Sequence, residues 1–418
     1  MKVGFVGASH LGQVYAVASA AAGMDVVILD PDAGLIARLK VGPTVAEPEL
    51  DETWHATSHR RQLSADPRLA RDCDLVFISQ DVPTNEHGAS DMTAVDSLAR
   101  QSFEALQGSG VPVVLLSQVT PGTTRRLSTV YSPLSYQVET LVFGQALSRA
   151  RQPERHIVGL PNSNDVLHPK HAEWLEAFPT EKYLMDYESA ELAKIAINLY
   201  LAASVSTTNA LAELARSVGA RWDDIVPALR SDRRIGPYAY LNPGLGLSGG
   251  NIERDLATFL RLAQQGGVDD SVVAAFVQSS RYHRDWALRT LAAQRLPSGG
   301  TVAMLGLAYK PDTASTKNSP ALDILGRLEG TNVRVHDPQA VLASNQGWAQ
   351  QSRSWRTAVQ GADCLLVMTP WAEYRSIDLR EAVGLMRRRL VIDPHGVFRQ
   401  SATSIPDLEY HSLYLGKP

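Results

Sequence analysis

Apolar and polar positions change places in blocks at both ends of the chain. KVGFVG is a short apolar run that reads as a strand; a glycine turn and an alanine-rich helix, Leu11 to Ala22, follow it. DVVILD reads as a second strand, and DLVFIS and VPVVLLS as later ones, each ending in polar loop residues. Such β–α alternation predicts a parallel sheet with helices on both faces. The C-terminal part repeats the pattern: TVAMLGLAY resembles KVGFVGAS, NVRVHDP resembles DVVILDP, and GADCLLVMTPW resembles RDCDLVFISQD, with RLVIDPHG as a further strand.

Between them the period changes. SAELAKIAINLYLAASVSTTNALAELARSVG has apolar residues at three-and-four spacing, the mark of a helix, and RRIGPYAYLNPGLGLSGG interrupts the helical region. The predicted fold is α/β: two Rossmann-like doubly wound domains joined by a long central helix and a helical dimerisation domain. The expected divisions are residues 1–188, 189–295 and 296–418. A long helix between two domains has a large apolar face to cover, so a homodimer through the central helices is expected.

Composition narrows the function classes. At roughly 150 residues per domain, 418 residues make two or three domains. A net charge of −4 gives no reason to expect nucleic acid or an anionic membrane as partner. No apolar run is read as a membrane span, and MKVGFVGASHLG lacks the character of a signal peptide. The two cysteines, Cys73 and Cys364, open apolar runs and read as small core residues, which fits a cytoplasmic protein. Neither HExxH nor CxxC occurs and the eleven histidines are scattered, so a metal-free site is expected.

GASHLG, Gly7 to Gly12, fits GxGxxG with Ser9 in place of the middle glycine. It leaves a strand and opens a helix, the context a dinucleotide loop needs. Gly7 serves the tight turn and Gly12 the close helix–strand packing. Ser9, His10 and Leu11 lie between them, and Val82, Pro83 and Thr84 follow a neighbouring strand; all are expected beside the cofactor. Asp30 ends the second strand. A carboxylate there accepts hydrogen bonds from a ribose diol and repels a 2′-phosphate, favouring NAD over NADP.

Several ordered segments resemble the UDP-glucose/GDP-mannose dehydrogenase family over nearly the whole chain. RLKVGPTVAEPEL is similar to the family segment after the second strand, LSQVTPGTT to its STVPxGT loop, and AELAKIAIN to its lysine/asparagine helix. RIGPYAYLNPGLGLSGGNIERD resembles the segment that carries GGSC and then KD; LGLAYKPDTASTKNSPALD and MTPWAEYR resemble C-terminal signatures. The family oxidises a nucleotide-sugar alcohol to a carboxylate with two hydride transfers to NAD, through a cysteine thiohemiacetal and thioester. The resemblance implies that Lys194, Asn198 and Asp255 serve the alcohol oxidation, with the first two at i and i+4 on one helix face. Asn251 falls on the cysteine position, and an amide is no nucleophile. Glu139 keeps the first glutamate of the NPEFLxEG segment, Phe143 replaces the second, which is linked to water activation, and Gln118 replaces the threonine of STV. The departures fall on thioester formation and hydrolysis, while the lysine, asparagine and aspartate are kept.

The same resemblance implies that Tyr240, Leu241, Asn242 and Gly246 lie where the nucleotide is wrapped, and that Tyr309 and Lys310 meet the sugar and diphosphate. Arg234 matches an arginine that reaches a neighbouring subunit's ligand, Lys317 replaces a dinucleotide-binding arginine, and His395 replaces an arginine of the sugar pocket. The expected activity is an NAD-dependent oxidation of a GDP- or UDP-linked sugar that stops at the carbonyl. It completes a redox-neutral dehydration, resembling the dehydratase-like branch that acts on nucleotide-linked octoses in lincosamide antibiotic pathways. A two-electron dehydrogenase or epimerase, and a catalytically silent binding protein, are the alternatives.

Overall fold

The computed structural model describes residues 1–84, 88, 90–343 and 347–414. The chain divides into two compact units, Met1–Ile197 and Asn198–Pro418. The first holds β1 (Lys2–Val6), β2 (Asp25–Leu29), β3 (Arg61–Ser64), β4 (Leu75–Ile78), β5 (Val113–Leu115), β6 (Leu134–Gln137), β7 (His156–Leu160) and β8 (Lys182–Asp186). They form one sheet in the order β3-β2-β1-β4-β5-β6-β7-β8. Its pairs are parallel except β6 with β7. β4, LVFI, is buried throughout, and its side chains alternate between two cores: Phe77 joins Phe5, Leu11 and Trp174, while Val76 and Ile78 join Val27 and Phe103. An apolar layer on each face is what an unbroken hydrophobic strand needs. The strand order reverses between β1 and β4, and ligands of open α/β sheets bind in the crevice at such a point.

The second unit holds β9 (Thr301–Leu305), β10 (Asn332–His336), β11 (Ala349–Gln351), β12 (Cys364–Val367), β13 (Leu390–Ile392) and β14 (Glu409–His411). Its sheet is wholly parallel in the order β11-β10-β9-β12-β13-β14, the doubly wound order again. The two Rossmann-like sheets and the helical region between them agree with the fold class expected from the pattern. The strands β3, β6, β7, β8, β11 and β14 were not legible: KYLMD of β8, for example, is exposed or half-buried along its length, so it carries no run of buried apolar positions.

The central helix spans Tyr187–Ser217, 31 residues. By length and composition it is apolar enough to cross a membrane, with a mean hydropathy of 1.2 over its most apolar window. That corrects the sequence reading, which found no such run because Asn, Ser and Thr are interleaved with the apolar residues. Part of its surface is buried in the cores, through Ala190 and Ile197 in the first unit and Leu199, Ala202 and Val205 in the second.

Candidate functional site

In the first unit the chain leaves β1 through Gly7, whose φ is +96°, and enters the helix His10–Ala21. The Gly7 N–H donates to the Leu29 carbonyl at 2.8 Å, tying the turn to the end of β2. A Cβ on Gly12 would run into the Gly7 carbonyl oxygen, so only glycine lets the helix approach the turn. Leu11 is buried in the core beneath. Asp30, also buried, accepts from Ala8 N at Oδ2 (2.8 Å) and from Asp32 N at Oδ1 (2.9 Å). It therefore braces the glycine loop, and a carboxylate has lone pairs left for a diol. Tight turn, close glycine and acid after β2 together fit a dinucleotide.

Ser9 stands at the N-cap of that helix but does not cap it. Its hydroxyl donates to the Ser79 carbonyl (2.7 Å) and accepts from Asp81 N (3.1 Å), while Asp81 Oδ2 accepts from His10 N (3.1 Å). His10 Nε2 lies 2.8 Å from Glu47 Oε1, and its ring packs at 4.5 Å from that of Phe143. Glu47 has no side-chain exposure and also accepts from Gly144 N (2.9 Å) and Ala146 N (3.2 Å). Beyond β4, Val82 is buried, the Pro83 carbonyl accepts from Asp91 N, and Thr84 bridges to Ser90.

Lys194 lies on the central helix and is buried against Glu139. Its Nζ is 2.7 Å from Glu139 Oε1 and donates to the Glu139 carbonyl at 3.0 Å. Leu141 N donates to the second oxygen, Oε2, at 2.9 Å, so the carboxylate is aimed from two sides. Gln118 is half-buried just after β5, and Phe143 is 41% exposed. Three carboxylates were missed by sequence reasoning: Glu47, Asp81 and Glu191. Glu191 accepts from Gly122 N, Thr124 N and Thr124 Oγ1 at 2.6–2.7 Å and fixes the PGTT turn.

The second unit gathers another set. Asn198 Nδ2 donates to Asp255 Oδ2 at 2.5 Å; both are buried, and Arg254 Nε lies 3.4 Å from Asp255 Oδ1. Asn251 opens the helix Asn251–Gly266 and is exposed, one turn ahead of the buried Asp255. The preceding loop packs on the segment after β9. Gly249 has φ +90° and would carry a Cβ 2.9 Å from the Tyr309 ring; Gly250 abuts the Lys317 side chain. Ser248 Oγ donates to the Tyr309 carbonyl, and Asn318 Nδ2 to the Gly249 carbonyl. Tyr309 and Lys310 are half-buried, with Lys310 Nζ 5.8 Å from the Tyr309 ring centroid. Gly246 sits against Ser280, whose hydroxyl accepts from Leu247 N.

The Tyr240 carbonyl accepts from Ser204 and Thr208, and the Leu241 carbonyl from Trp222 Nε1, so this stretch is pinned by its backbone while the Tyr240 side chain and Asn242 stay exposed. Arg234 is exposed and forms a fork with Asp232. His395 Nε2 is 3.0 Å from the Met368 carbonyl; burial pushes its pKa down, and as a neutral ring it donates there. Among the described residues no cluster of His, Cys, Asp and Glu could hold a metal ion.

Three profiles of one family match the chain: the NAD binding domain over residues 1–172, the central domain over 188–281 and the UDP binding domain over 303–400. The chain is 29% identical to UDP-glucose 6-dehydrogenase of Pseudomonas aeruginosa, covering 100% of this chain and 98% of that one. It is 27% identical to UDP-glucose 6-dehydrogenase TuaD of Bacillus subtilis, covering 100% and 93%. Among solved structures, a UDP-glucose dehydrogenase from Pyrobaculum islandicum superposes with a TM-score of 0.86 at 25% identity, covering 99% and 98%. The chain belongs to the UDP-glucose/GDP-mannose dehydrogenase family, and its cofactor is NAD.

Proposed function

We propose that this enzyme oxidises a hydroxyl of a UDP- or GDP-linked sugar to a carbonyl, forms no thioester, and returns the hydride within the same turnover, so that the net reaction is a dehydration. The observation that carries the reading is the state of its only two cysteines. Cys73 is 5% exposed, with its thiol pKa pushed up by burial to about 12; Cys364 is fully buried in β12 and its thiol is pushed up further. Neither yields a thiolate near neutrality. Asn251, the residue aligned with the family's nucleophile, cannot replace it.

The residues for the first oxidation are present. Glu139 holds Lys194 in the first unit, and Asp255 holds Asn198 in the second. A cationic ammonium and an amide can stabilise a developing alkoxide, and a carboxylate can take the hydroxyl proton. Bound NAD supplies a hydride acceptor that can give the hydride back. The carbinol carbon loses a hydride and its oxygen a proton. The C–H next to the new carbonyl is then acidic; its loss expels a β-hydroxyl, which leaves as water after taking up a proton. Hydride returns to the β-carbon of the enone and a proton to its α-carbon, which leaves a deoxy carbonyl sugar with cofactor unchanged. The apolar Phe143, in place of a second glutamate, supports a carbonyl that is not hydrated. The setting is specialised sugar biosynthesis, in the cytoplasm.

Purified protein is incubated with candidate UDP- and GDP-sugars while absorbance at 340 nm and product mass are followed. Loss of 18 mass units without NADH accumulation is expected. One NADH per sugar replaces the dehydration with a simple dehydrogenase, and two per sugar overturn the reading. The enzyme acts as a homodimer in this proposal. Leu211, Leu214, Val218 and Ile225 expose an apolar groove at the end of the central helix and on the helix Trp222–Ser231, and a second copy covers it. Leu214→Glu is expected to lower the mass measured by light scattering; an unchanged mass refutes that interface.

A further inference from the structure

The N-terminus of the helix His10–Ala21 is where a dinucleotide loop presents backbone N–H donors to a diphosphate. Here an internal anion takes the first of them. Asp81 Oδ2 accepts from His10 N, the first N–H of the helix, at 3.1 Å. Asp81 lies three residues beyond the end of β4, on the other side of the switch point from the glycine turn.

The contact is built from both strands. Ser9, the departure from the glycine pattern, turns its hydroxyl away from the capping position it occupies. It bonds the loop after β4 instead, donating to Ser79 O (2.7 Å) and accepting from Asp81 N (3.1 Å). The Ser79 hydroxyl donates back to the Gly7 carbonyl at 2.9 Å. The serine thus fixes the backbone of Asp81, and Asp81 does the capping that serine ordinarily does.

We propose that Asp81 is a built-in competitor for the cofactor's diphosphate: its carboxylate, clamped in place by Ser9, holds the first helix N–H donor, that of His10, and must leave it before NAD binds. A carboxylate and a diphosphate cannot share the same donors, because both are anions and each N–H points one way. The groups facing Asp81 bear on how firmly it stays. Crowding around its carboxyl group and the nearby Glu139 charge raise its pKa, although the residue as a whole is exposed; His10 and the backbone N–H bonds act against them. The carboxylate is therefore a replaceable cap that is not fully at ease as an anion. NAD affinity is set by this competition, whatever reaction the bound cofactor later serves.

The test is calorimetric titration of the full-length protein with NAD, with ADP-ribose, which keeps the diphosphate, and with adenosine, which lacks it. Asp81→Asn keeps the shape and removes the charge; Ser9→Gly removes the clamp. At pH 8.5, above the range in which histidine titrates, Asp81→Asn is expected to bind NAD and ADP-ribose about tenfold tighter, since affinity falls by the fraction of protein in the competent state. Adenosine affinity is unchanged. Ser9→Gly shifts the same way by less, and adds nothing in the Asp81→Asn background, because both act through one contact. Equal or weaker binding of NAD by Asp81→Asn overturns the proposal, as does an equal gain for adenosine or the absence of binding by every form. If affinity does not move while sugar dehydration proceeds, only the competition fails; the reverse outcome leaves it standing without the dehydration.

Discussion

Replacing both thiols tests the chemistry most directly, through the double variant Cys73→Ala with Cys364→Ala. At pH 7.5 an ordinary cysteine with a pKa of about 8.5 is roughly one-tenth thiolate. With its pKa pushed up to about 12, Cys73 is thiolate in about three molecules per hundred thousand, a reduction on the order of 10³-fold. Cys364 lies further up, with no solvent exposure at all. Iodoacetamide labelling of the native protein, followed by mass spectrometry, is expected to run at least 10³-fold slower than labelling of the unfolded chain. The double variant is expected to keep turnover within about twofold and to lose roughly 1–2 kcal/mol of stability per buried sulfur removed. Rapid labelling of either thiol that abolishes turnover, or loss of turnover in a folded double variant, refutes the argument.

Three further outcomes follow from the structure. Glu47→Leu leaves His10 Nε2, Gly144 N and Ala146 N without their common acceptor; urea unfolding is expected to show a loss of about 3–5 kcal/mol, and a loss below about 1 kcal/mol would contradict the bonding described. His171 is buried between Ser135 and Gln137, and desolvation lowers its pKa to about 3. Its folded pKa lies below the unfolded value near 6.5, so its contribution is complete above that value and is lost as pH falls towards 3. Between pH 7 and 5 the protein is expected to lose about 2 kcal/mol through this ring, and a His171→Asn variant correspondingly less; identical pH slopes refute the assignment. Asp255→Asn keeps an Asn198 neighbour while removing the carboxylate. Turnover is expected to fall about 10²–10⁴-fold with little change in nucleotide-sugar affinity, and unchanged turnover removes Asp255 from the chemistry.

The strands of the two doubly wound sheets were legible where they are buried on both faces, as in KVGFVG and DLVFIS, because burial on two sides demands continuous apolar residues. In the first sheet β3, β6, β7 and β8 were not. β6, LSYQ, and β7, HIVGL, are buried but short and broken by polar residues or glycine, and β8 is an edge strand with exposed positions, so no apolar run marks them. Gly7, Gly12 and Asp30 were readable as a cofactor loop because backbone conformation and close packing restrict which residue can stand there.

What the sequence by itself determined was chemistry carried by residue type: which side chains can act as base, donor or nucleophile, and the absence of a cysteine at residue 251. Tertiary structure decided the pairings. Lys194 is matched to Glu139 and Asn198 to Asp255, partners separated by 55 and 57 residues. It also decided that both cysteines are buried with their thiol pKa raised, since desolvation and not sequence spacing raises a thiol pKa. Asp81 is the clearest case: in SQDVPT it is one more polar loop residue, and only the approach of β4 to β1 brings its carboxylate to the helix end that a diphosphate requires. A hydrogen bond across 71 residues depends on where two loops meet, which no local pattern records.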